Sequence, residues 1–218
     1  MSIFNLIDKV RVTTPVCKFQ YPKLIEPETK FNPEGVYKIV GLLDPTAADA
    51  VAGQLDDLLA RHKESLKAQA PTQKFKLSDL PYGYEEIDST PYFVVKSKMK
   101  AKGIDRDGRA WSAAPALFDA RGGVIKDRDT IKGMWSGTTG RISFDACPFY
   151  QAAIGAGITL RLRAVQIIDL VEGGGSAESF GFGQEEGWTP GVGLETGLRK
   201  TIEHFDALLR GSAAAGTA

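Results

Sequence analysis

Four lysines, Lys96, Lys98, Lys100 and Lys102, fall at strict two-residue intervals. In a strand, successive side chains point to opposite faces, so all four ammonium groups share one face, about 6–7 Å apart. Phe93, Val95, Met99 and Ala101 take the other face and can fill a core. Four like charges in a row repel one another unless a polyanion or acidic neighbours lie opposite. Their spacing resembles that of successive phosphates on an extended nucleic-acid strand. The plain structural alternative is an edge strand guarded by lysines against aggregation. Further basic pairs weigh toward nucleic acid. Arg161 and Arg163 share one strand face, Lys9 and Arg11 another, and Arg106 and Arg109 lie in the turn after the ladder, ahead of Trp111.

Cations that track a phosphate backbone, with rings that stack on bases, are what sequence-tolerant single-strand binding needs. The candidate rings are Tyr82, Tyr84, Tyr92 and Trp111, and each has an equal claim to the core. Phe144 alternates with Arg141 and Ser143 and is expected inside. Trp135 sits in a Gly-rich turn, Gly133-Met134-Trp135-Ser136-Gly137, which no Gly-Lys-Ser/Thr follows, so it is not a phosphate-cradling loop.

Other chemistries fare worse. Two cysteines, Cys17 and Cys147, and two histidines, His62 and His204, have no metal-ligand spacing and make no disulfide framework. Both histidines fall in amphipathic helical stretches, which speaks for packing rather than nucleophile activation. Asp105, Asp107, Asp119, Asp127 and Asp129 are scattered through turn sequences, and Asp105-x-Asp107-Gly108 lacks the bidentate Glu of a calcium loop. The expectation is therefore no catalytic residue, no metal and no cofactor. No apolar run approaches the roughly 20 residues of a bilayer span. The N-terminus lacks a signal-peptide pattern, so a cytoplasmic protein is expected.

The elements that must position these residues follow from periodicity. Strands are expected over 9–17, 35–43, 92–102, 139–146 and 157–170, with short β segments at 116–119 and 123–126. Val51, Leu55, Leu58, Leu59 and Leu66 mark an amphipathic helix from about Thr46 to Gln69, stopped by Pro71. Residues 21–33 and 71–91 read as loops. The sum is a mainly β chain, a small antiparallel barrel with one long inserted helix.

Net charge is zero, with 27 basic and 27 acidic residues, but residues 171–218 hold seven of the acids and three of the bases. The body is thus mildly basic and the end acidic. Three segments are expected: a barrel over 1–171, an acidic Gly-rich linker over 172–195, and a helix with an uncharged end over 196–218. The helix carries Leu198, Ile202, Phe205 and Leu209 on one face and must dock on its own body or on a second copy.

In this order the motifs resemble the phage single-stranded-DNA-binding, helix-destabilising proteins of the podovirus type. The resemblance spans roughly residues 8–170. It rests on Phe31-Asn32-Pro33-Glu34-Gly35-Val36-Tyr37-Lys38-Ile39-Val40-Gly41-Leu42, the basic strand after Pro91-Tyr92-Phe93, Phe118-Asp119-Ala120-Arg121-Gly122-Gly123, Ile131-Lys132-Gly133, and the closing strand from Gly157 to Ile168. It implies an OB-fold that binds single-stranded DNA without sequence preference in phage replication and recombination. It also implies an acidic C-terminal tail that recruits replication proteins and competes with DNA. Here the extreme end, Gly211 to Ala218, has no charged side chain, and the acidic, aromatic-bearing stretch is internal.

The expected site is accordingly Lys96, Lys98, Lys100, Lys102, Arg109, Arg161 and Arg163 for phosphates, with Tyr82, Tyr84, Tyr92 and Trp111 for stacking. The expected protein is non-enzymatic and works in a bacterial host cell. Its expected partners are single-stranded DNA, replication proteins through 172–195, and a second copy through the terminal helix. The rival readings are a virion or assembly adaptor and a metal-dependent nuclease.

Overall fold

The computed structural model describes residues 4–131 and 133–172. Alternating apolar residues on long strands demand a closed surface with one face inside, and the chain builds one from β1 (Val10–Thr13), β2 (Cys17–Glu28), β3 (Val36–Leu43), α1 (Pro45–Gln69), β4 (Tyr82–Ile87), β5 (Thr90–Lys100), β6 (Lys102–Ile104), β7 (Ala110–Ser112), β8 (Ala116–Phe118), β9 (Thr139–Gln151) and β10 (Gly155–Asp169). Strand β2 pairs with β3, β3 with β5, β5 with β10, β10 with β9, and β9 with β2. That circuit is a closed five-stranded OB-type barrel. Phe19, Ile39, Val95, Ile142, Phe144, Ile158 and Leu160 fill it.

The helix inserted between β3 and β5 packs against β1, β5, β9 and β10. Asp44 caps it, accepting from Thr46 N–H at 2.9 Å, and Pro45 takes the first turn. Leu55, Leu58, Leu59 and Leu66 are its buried stripe, each contributing about 1.5–3 kcal/mol by leaving water. His62 belongs to the same stripe. It is wholly buried, with Nε2 2.9 Å from the Phe149 carbonyl.

Several elements differ from the expectation, for identifiable reasons. The barrel is mixed rather than wholly antiparallel, because β10 runs parallel to both β5 and β8. Strand β2 continues through the stretch expected as a loop. Its register with β3 is irregular after Gln20 and again after Lys23, and such bulges accommodate Pro22 and Pro27. Strand β4, expected as loop, is masked in the sequence by Pro81 before it and Gly83 within it. It forms a hairpin with β5 around Asp88 and Ser89, both with positive φ. The lysine strand ends at Lys100. Ala101 leaves the ladder, donating its N–H to the Gly35 carbonyl and accepting from Ala113 N–H, and Lys102 starts a separate hairpin with β7. Residues 123–126 form only a bridge, Val124 to Phe118. The linker expected over 172–195, from residue 173 on, and the helix expected over 196–218 lie outside the described residues, as do the dimer and the recruitment of replication proteins expected of them.

Candidate nucleic-acid interface

Strand register sets which cations meet. Lys98 on β5 stands opposite Lys38 on β3 and opposite Arg161 on β10, and Lys38 stands opposite Lys23 on β2. Neighbouring strands lie about 4.7–4.9 Å apart. The result is a row, Lys23-Lys38-Lys98-Arg161, that crosses the outer sheet perpendicular to the lysine ladder and meets it at Lys98. Lys38 and Lys23 were absent from the sequence expectation, because cross-strand register is invisible to spacing along one strand.

Ion pairs grade these cations. Lys96 Nζ lies 2.6 Å from Glu85, Lys100 Nζ 2.9 Å from Glu34, and Lys38 Nζ 2.6 Å from Glu28. Lys98 and Arg161 form no ion pair among the described residues. They sit side by side with like charge, which destabilises a sheet unless an anion bridges them.

The two line a groove of about 620 Å³ with Lys100, Arg163, Met99 and Trp111. Trp111 reaches it because its cross-strand partner is Gly103. A Cβ there would lie 2.8 Å from Trp111 Cζ2, so only glycine lets the ring lie against the strand. The hairpin thus presents the ring 39% exposed at the edge of a cationic groove. That is the arrangement a base needs to stack while its phosphates meet cations.

Asp145 organises the neighbouring cations. It is buried, and it accepts from Lys9 Nζ at 3.2 Å, from Arg163 Nε at 2.7 Å and from Arg11 Nε. The Arg11 hydrogen bond, helped by those from Arg163 and Lys9, outweighs burial and holds its carboxyl well below the usual carboxylate range. Arg163 is the extra residue where the β9–β10 register shifts between Leu162 and Ala164, and its guanidinium reaches back to Asp145. One carboxylate under three cations leaves a net positive surface beside the groove.

The other expected residues divide. Tyr92 stands opposite Glu85 on the ladder face and is half-buried. Tyr82 is a core residue: its ring lies by Phe93 and its hydroxyl donates to Asp56 at 3.1 Å. Tyr84 is exposed, but it stands opposite Phe93, so it lies on the sheet face away from the lysines. Lys102 lines a different cleft, with Tyr37 and Ser112. Arg109 is exposed in the β6–β7 turn, where its N–H is held by Asp105, and it does not line the Trp111 groove. The two-residue period expected Lys102 on the ladder face, Arg109 was expected in the turn beyond it, and Tyr82 and Tyr84 in a loop; the β4–β5 and β6–β7 hairpins set where these four lie.

Carboxylates expected in turns are used there. Asp105 accepts from Asp107 and Arg109 N–H, Asp119 from Arg121 and Gly123 N–H, and Asp127 from Asp129 N–H. Among the described residues no group of three or more His, Cys, Asp or Glu could hold a metal ion. Burial pushes the Cys17 thiol up to about 11 and the Cys147 thiol up as well, which suits packing and not nucleophilic attack. No helix among the described residues is long and apolar enough to cross a membrane.

No protein-family model matches this chain, and no curated protein matches it in sequence. Solved structures do match in fold. The chain is similar to gp2.5, a single-stranded DNA binding protein encoded by bacteriophage T7, with a TM-score of 0.59 and 21% identity over 84% of this chain and 100% of that one. It has the fold of the phage single-stranded-DNA-binding proteins. A C-terminal truncation of the single-stranded DNA-binding protein from bacteriophage Enc34 gives a TM-score of 0.54 at 14% identity, covering 79% of this chain and 98% of that one. The same Enc34 protein in complex with single-stranded DNA gives 0.51 at 14% identity over the same shares. The family resemblance read from the order of weak motifs is thus matched by an independent likeness of fold.

Proposed function

We propose that this protein binds single-stranded DNA without sequence preference and serves phage DNA replication and recombination as a non-enzymatic coat on exposed strands. The observation that carries the reading is the Lys98–Arg161 pair. Two unpaired cations stand side by side in a groove beside Trp111, on a barrel whose fold is that of proteins that bind single-stranded DNA. Lys98, Arg161 and the ion-paired Lys38, Lys96, Lys100 and Arg163 hold phosphates. Trp111 and Tyr92 offer stacking surfaces, and the partly buried Val36 and Met99 supply apolar contact that any base can use.

The test is a titration of fluorescent oligo-dT at several salt concentrations, with a duplex of equal length as control. Preferential binding to the single strand is expected, with log affinity falling by about 0.7 per decade of salt for each phosphate contacted. No binding at low salt refutes the reading and leaves an assembly adaptor as its replacement. Magnesium-dependent cleavage of the oligonucleotide would refute the non-enzymatic part.

A further inference from the structure

The β2–β3 connection separates two clefts. Asn32 lines the Trp111 groove on one side, while Thr29 and Lys30 line a cleft of about 710 Å³ on the other. Phe31 stands between them, 81% exposed, with Lys30 Nζ 5.3 Å from its ring centroid. The second cleft carries two more large exposed rings, Tyr21 at 67% and Trp135 at 60%.

Their presentation is built into the backbone. Tyr21 holds φ at 48°, a left-handed conformation that bulky residues rarely adopt, inside the irregular stretch of β2. Its N–H donates to Ser136 Oγ at 2.9 Å, and Gly137 N–H donates to the Phe19 carbonyl at 2.9 Å. Trp135 N–H donates to the Val171 carbonyl at 3.0 Å. Both rings are therefore held outward by clamped chain. Exposed apolar surface of this kind marks a binding site.

Charge and continuity select the occupant. Lys23 and Lys30 line the cleft, and Lys23 is the end of the row that begins at Arg161 in the Trp111 groove. Of the acids there, Glu28 is held by Lys38, which leaves Glu26. A row of cations that leads from one ring-edged groove past an exposed Phe to a second pair of rings fits a polyanion that carries aromatic faces.

We infer that a single DNA strand leaving the Trp111 groove passes the Phe31 tip and stacks its bases on Tyr21 and Trp135, making this cleft the second half of the binding site. The inference rests on the single-stranded-DNA reading above. It lengthens the site from the few bases that one groove serves toward the upper part of the range for such barrels, about 4–16 nucleotides.

The test compares oligo-dT of about 4 and about 16 nucleotides, the ends of that range, on the full chain and on Tyr21→Gly/Trp135→Ala. Glycine at 21 removes the ring and suits the left-handed backbone. The variant is expected to bind the long oligomer about 5- to 160-fold more weakly per ring lost and the short one unchanged. In Trp111→Phe/Trp188→Phe, which leaves Trp135 as the reporter, the long oligomer is expected to quench fluorescence and the short one not. Equal affinity of wild type and variant for the long oligomer, or an equal loss on both lengths, overturns the second site alone. Failure of the wild type to bind either length overturns the underlying reading as well.

Discussion

Replacing both Lys98 and Arg161 with Ala tests the argument from ion pairing most directly. Each cation that neutralises one phosphate on a single strand adds about 0.7 to the magnitude of the salt slope. Relative to a 1 M reference, one such contact strengthens binding about five-fold at 0.1 M salt, and two about 25-fold. The double variant should therefore bind oligo-dT about 25-fold more weakly at 0.1 M, with a slope shallower by about 1.4. Lys96→Ala and Lys100→Ala should each cost less, because Glu85 and Glu34 already compete with phosphate for those ammonium groups. The converse follows too: Glu85→Gln releases Lys96 and should tighten binding. Unfolding cannot mimic this pattern. Lys98 and Arg161 are exposed cross-strand neighbours of like charge, so removing them should leave the melting temperature unchanged or raise it, by relief of about 0.2–1 kcal/mol of repulsion. Fluorescence anisotropy over a salt series, with a thermal melt of each variant, reads all of these. If Lys96→Ala and Lys98→Ala flatten the slope equally, the argument from pairing is wrong. If the double variant leaves the slope untouched, the pair is not in the site.

Three further outcomes are expected. Asp145→Asn should destabilise the fold by about 2 kcal/mol, since it leaves Lys9, Arg11 and Arg163 facing one another. The Asp145 carboxyl is lowered in the folded state, so its contribution is complete above about pH 4, the unfolded value, and is lost as pH falls through the folded one. Urea melts of the two proteins should therefore differ by a constant amount at neutral pH and converge only in strong acid. Gly103→Ala should push the Trp111 ring off the strand, lowering affinity for oligo-dT without changing the salt slope, as an anisotropy titration would show. Tyr82→Phe should cost about 1 kcal/mol in a urea melt through the lost Asp56 hydrogen bond and leave DNA affinity unchanged.

What the sequence made legible was periodic. The alternation that buries Phe93 and Val95 while exposing Lys96 and Lys98 holds in β5, and the stripe from Val51 to Leu66 is the buried face of α1. Relations between strands were not legible. Nothing along the chain says that Lys38 lies beside Lys98, or that one carboxylate, Asp145, serves three cations from two distant segments. Tyr82 and Tyr84, expected in a loop, could be given no face, because β4 is not visible as a strand and its register with β5 cannot be read from the chain. Lys102 left the ladder because Ala101 trades strand pairing for hydrogen bonds to Gly35 and Ala113, a tertiary contact that outranks local alternation.

The place where β5 meets β10 also bears on how the barrel comes together. Every other join in the circuit is an antiparallel ladder, whereas this one is parallel and registered at a single pair, Lys98 with Arg161. The joining residues are far apart in the chain and only one registered pair offsets the loop entropy of bringing them together. The barrel thus has a thin seam here, and like charges oppose its closing. Brief opening should concentrate there, with amide protons of mid-β5 and mid-β10 exchanging ahead of those in the β9–β10 ladder. A phosphate lying between Lys98 and Arg161 would act as a clasp. Occupancy would then slow exchange at the seam and raise the unfolding temperature of the whole barrel.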